Sequence, residues 1–255
     1  SGKESSVLNC GDYSVSVNIG DYSESFTSGR NSIATNIGKC SVVINSGIYS
    51  ISSNTGKCSF AESNGKFSIS VNTGEKSVSN NLGYNSVSVN TGLRSCSENV
   101  GVRSIAVNTG DESNIITRRE FSISASTGHV TKVIANGASS SSINTGNFSK
   151  SITKGYYSIS ANTGCFSVAK TFGKRSVAVC TRDESVSSVK GDNSIAVVTG
   201  RYGKAAGALG CWLVLSEIGD NDEILDVQTV KVDGVNIKPN VYYQLVKGKV
   251  VKTNY

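Results

Sequence analysis

A nine-residue period that runs without insertion from Lys3 to Gly200 constrains the fold more than any other feature of this chain. With the positions numbered x1-x2-S3-x4-x5-x6-N7-x8-G9, position 3 is Ser in 21 of 22 repeats, position 9 is Gly in 20, and position 7 is Asn in 12. Alternate repeats form a strong class, such as SISVNTG at 68–74, and a looser class. The repeating unit is therefore 18 residues, which indicates a repeat architecture.

Each unit contains two unlike nonapeptides. In each nonapeptide a short alternating segment lies between polar corners, and this pattern predicts a parallel β-solenoid. Gly and Asn tolerate the left-handed backbone of a tight corner, and the alternating residues between corners form a short strand. We predict an all-β fold with about 11 coils of 18 residues over 3–200. Residues 201–255 are predicted to form a small β-meander that caps the solenoid or mediates oligomerisation, because a solenoid ends in an open sheet edge.

The tail after Gly200 is predicted to form β-strands. Segments 211–215 and 223–232 are predicted strands, and V-D-G at 232–234 is a predicted turn. Segments 241–246 and 250–252 flank Lys247-Gly248, which predicts a hairpin.

Charge distribution sets the predicted register of the solenoid strands. Position 5 is never charged, whereas positions 4 and 6 include Glu24, Glu62 and Lys132. Burying an unpaired charge is costly, so we predict that positions 3, 5 and 7 point inward and positions 4 and 6 outward. The core would then be thin and rich in Ser and Ala, and its hydroxyls would bond the backbone of neighbouring coils. The alternative register, which places Val and Ile inside, stays open.

On the favoured register, one face carries an aliphatic ladder at position 4, about 50 Å long at ~4.8 Å per coil. An exposed apolar stripe of that size marks an interface, so we predict a homo-oligomer, a dimer or a trimer. The predicted interface residues are Val15, Ile33, Ile51, Ile69, Val87, Ile105, Ile123, Ile159, Val177 and Ile195. Position 6 adds Val17, Val71, Val89, Val107, Val179 and Val197.

Residues that carry chemistry are sparse, and we predict no enzyme activity, no metal and no cofactor. Calcium-binding rolls use Gly-Gly-x-Gly-x-Asp repeats, whereas these corners read Asn-Thr-Gly. The only histidine, His129, is predicted to be an exposed turn residue. Cys40 and Cys58 should stack in adjacent coils within disulfide range, and two free thiols are favoured.

Three alternatives stay open on the repeat surface. Glu62 and Glu98 lie two coils apart, ~9.6 Å, near the upper limit for the carboxylates of inverting glycosidases. Position 8 of the strong repeats carries a row of Thr residues. Regular Thr rows also occur on ice-binding solenoids, but the favoured interpretation here is that the hydroxyls stabilise the turns. Aromatic and basic corner residues together can bind single-stranded nucleic acid, but the favoured interpretation is that the aromatic residues cover the corners of a thin core.

The diffuse net charge of +6 also disfavours nucleic acid as a partner. No apolar run is long enough for a membrane span. Seven Cys without a CxxC pair favour a reducing compartment.

The phrases NSIAVVTG (193–200) and RSVAV (175–179) resemble the head repeats of trimeric autotransporter adhesins. That resemblance implies a β-roll that trimerises. The period of nine and the Cys content depart from that family, which favours a host bacterial cytoplasm or a virion over surface display. The tail, KAAGALGCWLVLSE and KVDGVNIKPNVYYQL, resembles the C-terminal segment of uncharacterised bacterial and phage repeat proteins.

Three functional hypotheses follow. The first is a non-enzymatic structural or binding solenoid, encoded by a phage or a bacterium, that acts through its long faces on itself, a protein or a glycan. The second is a phage-encoded inhibitor of a bacterial defence protein. The third is a polysaccharide-cleaving protein of the tailspike kind.

Overall fold

The computed structural model describes residues 2–254, and these divide into two compact units at 2–128 and 129–254. Counted over both units, about 12 coils of about 18 residues follow one another along the chain, which confirms the predicted all-β solenoid. Within residues 2–254 no helix is long and apolar enough to cross a membrane.

The first unit consists of two parallel sheets that share every coil. Sheet A contains β1 (Ser6–Asn9), β3 (Glu24–Thr27), β5 (Val42–Asn45), β7 (Phe60–Ser63), β9 (Val78–Asn81), β11 (Cys96–Asn99) and β13 (Asn114–Thr117). Sheet B contains β2 (Val15–Ile19), β4 (Ile33–Ile37), β6 (Ile51–Asn54), β8 (Ile69–Asn72), β10 (Val87–Asn90), β12 (Ile105–Asn108) and β14 (Ile123–Ser126). Partner residues are 18 apart, as in the pair Val87 and Ile105, so equivalent repeat positions stack.

The second unit repeats this arrangement. Its sheet A contains β15 (Lys132–Ala135), β17 (Lys150–Thr153), β19 (Val168–Thr171), β21 (Val186–Val189) and β23 (Lys204–Gly207). Its sheet B contains β16 (Ser141–Asn144), β18 (Ile159–Asn162), β20 (Val177–Cys180), β22 (Ile195–Val198) and β24 (Trp212–Ile218). Three antiparallel strands complete the unit: β25 (Ile224–Lys231), β26 (Tyr242–Val246) and β27 (Lys249–Thr253).

The parallel ladders continue beyond Gly200, where the nine-residue period of the sequence ends. β23 pairs with β21 at a spacing of 18 residues, and β24 pairs with β22 at a spacing of 17, Ile195 to Trp212. Strands β25 and β26 then pair antiparallel with β24 and β23, so neither β23 nor β24 is the last strand of its sheet. The predicted hairpin is confirmed: β26 and β27 pair, with positive φ at Lys247 and Gly248.

The predicted register is confirmed, and the alternative with Val and Ile inside is wrong. Ser68, Ser70 and Asn72, at positions 3, 5 and 7, are fully buried, whereas Ile69 between them is 36% exposed. The same alternation of buried and exposed positions recurs in the burial patterns of β4, β10, β12 and β18. The interior of the coils is therefore built largely from polar side chains.

Ser at position 3 connects each coil to its neighbours on both sides. The Ser68 main-chain N–H donates to Ser86 Oγ at 3.1 Å, and Ser68 Oγ donates to Gly47 O at 2.9 Å. At position 5 the hydroxyl crosses the coil: Ser79 Oγ donates to Ser70 O at 2.8 Å. These bonds supply the partners that a buried hydroxyl needs.

An Asn at position 7, such as Asn72, satisfies three backbone groups with one amide. Asn72 Nδ2 donates to Ser59 O at 2.9 Å and to Val78 O at 3.2 Å, and its Oδ1 accepts the N–H of Gly74 at 3.0 Å. A carboxamide has two donors and one acceptor oxygen in fixed geometry. The corner therefore closes without an unpaired main-chain group at these three atoms.

The left-handed corner residue is at position 2, and the expectation that Gly and Asn supply this conformation is wrong. Position 2 has φ between 52° and 58° in residues as different as Phe67, Cys58 and Arg94. Gly at position 9 has another role. A Cβ on Gly83 would lie 1.8 Å from Gly65 O in the neighbouring coil. Glycine at this position avoids the clash with the adjacent coil, and Arg119 and Arg182 occupy it in the two repeats that depart from this pattern.

We expect Gly83→Ala to destabilise the protein by about 1–3 kcal/mol or more, as overpacking does, because the neighbouring backbone has no flexible group to move. The matched control is Gly11→Ala. It occupies the same repeat position, but its Cβ would meet nothing closer than 3.7 Å. Urea unfolding followed by far-UV circular dichroism measures both. Equal midpoints for the two variants would contradict the close-approach explanation.

Within residues 2–254, Val130 is the only β-branched residue among the left-handed corner positions, with φ of 54°. This conformation costs an L-residue about 1–2 kcal/mol, and Asn tolerates it better. Val130 is 56% exposed, so little apolar packing is lost on substitution. We expect Val130→Asn to raise the free energy of unfolding by about 1 kcal/mol. The reciprocal variant Asn193→Val, at φ of 52°, should lower it, and thermal unfolding tests the opposite signs.

Candidate functional site: the outward face of sheet B

Position 4 of the strong repeats forms an unbroken aliphatic row along sheet B of the first unit. Register pairs join successive members, Ile69 to Val87 and Val87 to Ile105 among them. The row contains Val15, Ile33, Ile51, Ile69, Val87, Ile105 and Ile123. Six intervals of ~4.8 Å give this ladder a length of about 29 Å. The structure thus brings seven of the ten predicted interface residues together on one face.

Mutual contact along the ladder determines how exposed each side chain is. Val15, which has a neighbour on one side only, is 61% exposed, whereas Ile69 and Ile105 are 36% and 37% exposed. Ile51 and Val87 are half-buried. Each interior rung loses surface to the rungs above and below it, and the remaining outer surface forms a continuous apolar strip.

A second row lies beside the first at position 6. Val71, Val89 and Val107 are half-buried and in register with one another. Val17 at the start of the row is 51% exposed, and Thr35 and Ser53 stand between it and Val71. An exposed Thr follows at position 8 in coils such as that of Thr91. The face therefore combines the aliphatic row at position 4 with a mostly β-branched row at position 6, and its charged neighbours are confined to the corners.

The second unit carries a shorter form of the same ladder. Ile159, Val177 and Ile195 are in register, with Ile159 47% and Ile195 38% exposed. Ser141 stands before them in place of an aliphatic residue. Trp212, 43% exposed, forms the rung after Ile195. Sequence reasoning missed this rung because the preceding interval is 17 residues instead of 18.

The outward face of sheet A is mixed and polar. Glu62, Asn80 and Glu98 stack in register, so the two carboxylates lie on one face, two coils apart, as their spacing predicts. Each carboxylate has its own partner: Glu62 Oε1 accepts from Asn64 Nδ2 at 2.9 Å, and Glu98 is paired with Arg118.

His129 acts as a structural corner residue. It is exposed, and its Nδ1 accepts the main-chain N–H of Asn147 at 3.2 Å. Asn147 Oδ1 in turn accepts from Cys165 N at 2.8 Å, and Asp183 Oδ1 from Arg201 N at 2.9 Å. Position 1 thus uses a side-chain acceptor to satisfy the same N–H one coil further on. Among residues 2–254 no group of three or more metal-ligating side chains lies together.

All seven cysteines are free thiols, including Cys40 and Cys58, both exposed. Cys180 takes the place of Asn at position 7, with its Sγ 3.1 Å from Val186 O. Burial raises the pKa of this thiol to about 12, so it stays protonated at neutral pH and is a poor nucleophile.

Corner aromatic residues are exposed to solvent to different degrees, and the expectation that they cover the corners of the core stays a prediction. Tyr13 is 79% exposed and Phe148 61% exposed. Their left-handed backbone directs them away from the coil, where they lie against solvent.

No protein-family model matches the chain, and no curated protein or solved structure is significantly similar to it. The resemblances to adhesin head repeats and to bacterial and phage repeat proteins therefore stay predictions. The class that the geometry defines is a parallel β-solenoid with a polar core and an outward aliphatic ladder.

The outward placement of the ladder can be tested without reference to function. We expect Ile69→Lys and Ile105→Lys each to change stability by about 1 kcal/mol or less, because the Lys stem can lie along the neighbouring rungs. Ala106→Lys is the matched contrast, since Ala106 is adjacent in sequence and fully buried. It should abolish the cooperative thermal transition. Circular dichroism spectra in which all three variants behave alike would contradict the register.

Proposed function

We propose that this chain is a non-catalytic solenoid that binds a second copy of itself through the outward face of sheet B. The observation that supports the proposal is the in-register row of half-exposed Val and Ile side chains in the first unit, with the parallel Val row beside it. Contiguous apolar strips of this kind are uncommon on monomers.

The energetics favour an interface that uses both rows. Full burial of one Val or Ile side chain contributes roughly 1.5–3 kcal/mol, and rungs that are about two-fifths exposed can contribute about 0.6–1.2 kcal/mol each. Seven rungs then supply about 4–8 kcal/mol, which lies at the low end of the estimated 4–15 kcal/mol cost of association. The position 6 row must therefore contribute, and loss of two central rungs should be decisive.

The periodicity of the face favours a second copy as the occupant. The ladder repeats at the spacing of one coil, so only a surface with the same spacing can match it at every rung. Another copy of this chain carries that surface, and an isologous contact pairs equal patches. A dimer follows from this argument, and a trimer follows from the resemblance to adhesin head repeats.

A bacterial or phage source and a location in a host cytoplasm or a virion are proposed from the resemblance of the tail. A bacterial defence protein or a glycan is the alternative occupant of the repeat faces. The stacked Glu62 and Glu98 keep polysaccharide cleavage as a second candidate.

The decisive experiment is light scattering coupled to size exclusion of the wild type and of Ile69→Lys/Ile105→Lys. We expect an oligomeric wild type and a folded monomeric variant, because two charges would be buried at the centre of the contact. The control Glu24→Lys/Asn114→Lys changes two exposed position 4 residues of sheet A in the same unit. It should leave the oligomer intact.

A wild type that runs as a monomer at its highest soluble concentration would falsify self-association. If both double variants dissociate the oligomer, the added positive charge explains the dissociation, and the contact is not assigned to the face of sheet B.

A further inference from the structure

Aromatic side chains at position 2 of the strong repeats project from the corner that leads into sheet B. In the first unit Tyr13, Tyr49 and Phe67 are 79%, 58% and 43% exposed. Their backbones share the left-handed conformation, with φ of 56° to 58°. They leave the coils at equivalent corners and in similar directions, so their rings form rungs along this edge.

Planar groups on adjacent rungs stack on one another. The Tyr49 and Phe67 rings are 5.0 Å apart and inclined by 10°, and the Phe148 and Phe166 rings on another corner are 5.1 Å apart and inclined by 8°. These separations are close to the rise of one coil, ~4.8 Å. An Arg side chain also packs against a ring on the adjacent rung: the Arg103 guanidinium lies 5.8 Å from the centre of the Phe121 ring.

One rung of this ladder is missing between two rings. Asn31, exposed and with a short side chain, stands between Tyr13 and Tyr49. The two aromatic rungs are therefore two coils apart, ~9.6 Å, which leaves room for one more planar group at the stacking distance seen elsewhere. A cavity of about 410 Å³ lies at this place, and Tyr13, Asn31 and Tyr49 are among its lining residues.

The equivalent position at Asn85 does not form such a slot. There the Tyr84 ring contacts Phe67 edge-on, with centroids 6.3 Å apart and an interplanar angle of 88°. The chain's own ring thus lies beside the aromatic face that a ligand would need.

Positive charge borders the slot. Arg30 and Lys66 line the same cavity and are exposed. Within residues 2–254 neither side chain forms an ion pair. The one acidic lining residue, Asp12, accepts the main-chain N–H of Arg30 at 2.7 Å through its Oδ1. A ligand that complements the slot is planar and aromatic, and carries an anionic group.

We propose that the slot binds a nucleotide unit, with the base between Tyr13 and Tyr49 and the phosphate beside Arg30 and Lys66. Stacking of a base on aromatic side chains is tolerant of base identity because every base has a π-face. The diffuse net charge disfavours nucleic acid for the chain as a whole, but this local combination of rings and cations is what single-strand binding requires.

The test is a titration of the full chain with a fluorescently labelled oligothymidylate, followed by anisotropy, and with adenosine monophosphate as competitor. Asn31→Phe inserts a ring into the slot at a backbone that already holds Tyr or Phe elsewhere, and it should weaken binding by about tenfold or more. Asn193→Phe makes the same substitution at the same repeat position in the second unit, where φ is 52°, and should bind as the wild type does.

Tyr49→Ala should weaken binding to a similar degree, about tenfold. Arg30→Gln/Lys66→Gln should flatten the dependence of affinity on salt concentration, because fewer counterions are released. Competition by adenosine monophosphate would show that one nucleotide suffices, and binding of the oligonucleotide alone would show that a strand is the ligand. No binding of either, or unchanged affinity in Asn31→Phe, would overturn the proposal. Because oligomeric state is measured separately, failure here leaves self-association untouched.

Discussion

The close stacking of one coil on the next is the constraint on which the rest of the structure depends. At position 9 the backbone of one coil approaches that of its neighbour so closely that a Cβ on Gly92 would lie 1.8 Å from Gly74 O. This approach brings each Ser of position 3 within hydrogen-bonding reach of the coils on both sides, as Ser86 reaches Gly65 O at 3.2 Å. The interior is narrow and is filled mostly by Ser, Ala and Asn, with Val43, Ile115 and Val133 also fully buried there. Most of its polar groups satisfy one another's hydrogen bonds, because an unpaired buried polar atom is costly.

A polar core of this kind has a consequence for the apolar residues. Val and Ile favour strands, but these coils are filled by Ser, Ala and Asn. The aliphatic residues of sheet B are therefore placed outward, where the ladder buries part of their surface by contact between rungs. The tail shows the opposite arrangement. There Leu213, Leu215 and Tyr243 form an apolar cluster with Val198 and Val232, because the last coil is closed by antiparallel strands that bring side chains of ordinary core size.

The sequence was sufficient for the fold and for the register, since both depend on a period and on where charge is excluded. It was insufficient for the corner. The left-handed residue at position 2 is Tyr, Cys, Arg or Val in different coils, so no preference for Gly or Asn marks it. The recurrence of Gly at position 9 was clear from the sequence. Its cause is the close approach of residues that are 18 apart, and the sequence does not show that approach. The rung at Trp212 was hidden because one deleted residue shifts it out of phase. The exposure of the corner rings could not be predicted while the backbone conformation that directs them outward was unknown.

A repeated surface and a specific site follow from different parts of the same pattern. Where the repeats agree, as along the aliphatic ladder, every rung offers the same contact, and affinity depends on how many rungs a partner can match. Where one repeat departs from its neighbours, the surface acquires a position that occurs once. Asn31 is such a departure, since it follows Tyr13 and precedes Tyr49 in an aromatic row. It costs the fold little because the side chain is exposed and the coil is held by its Ser and Asn bonds. Positions 1 and 2 are therefore free to vary within the limits of the left-handed corner, and it is at these corners that a solenoid of this type can gain a ligand site without disturbing its core.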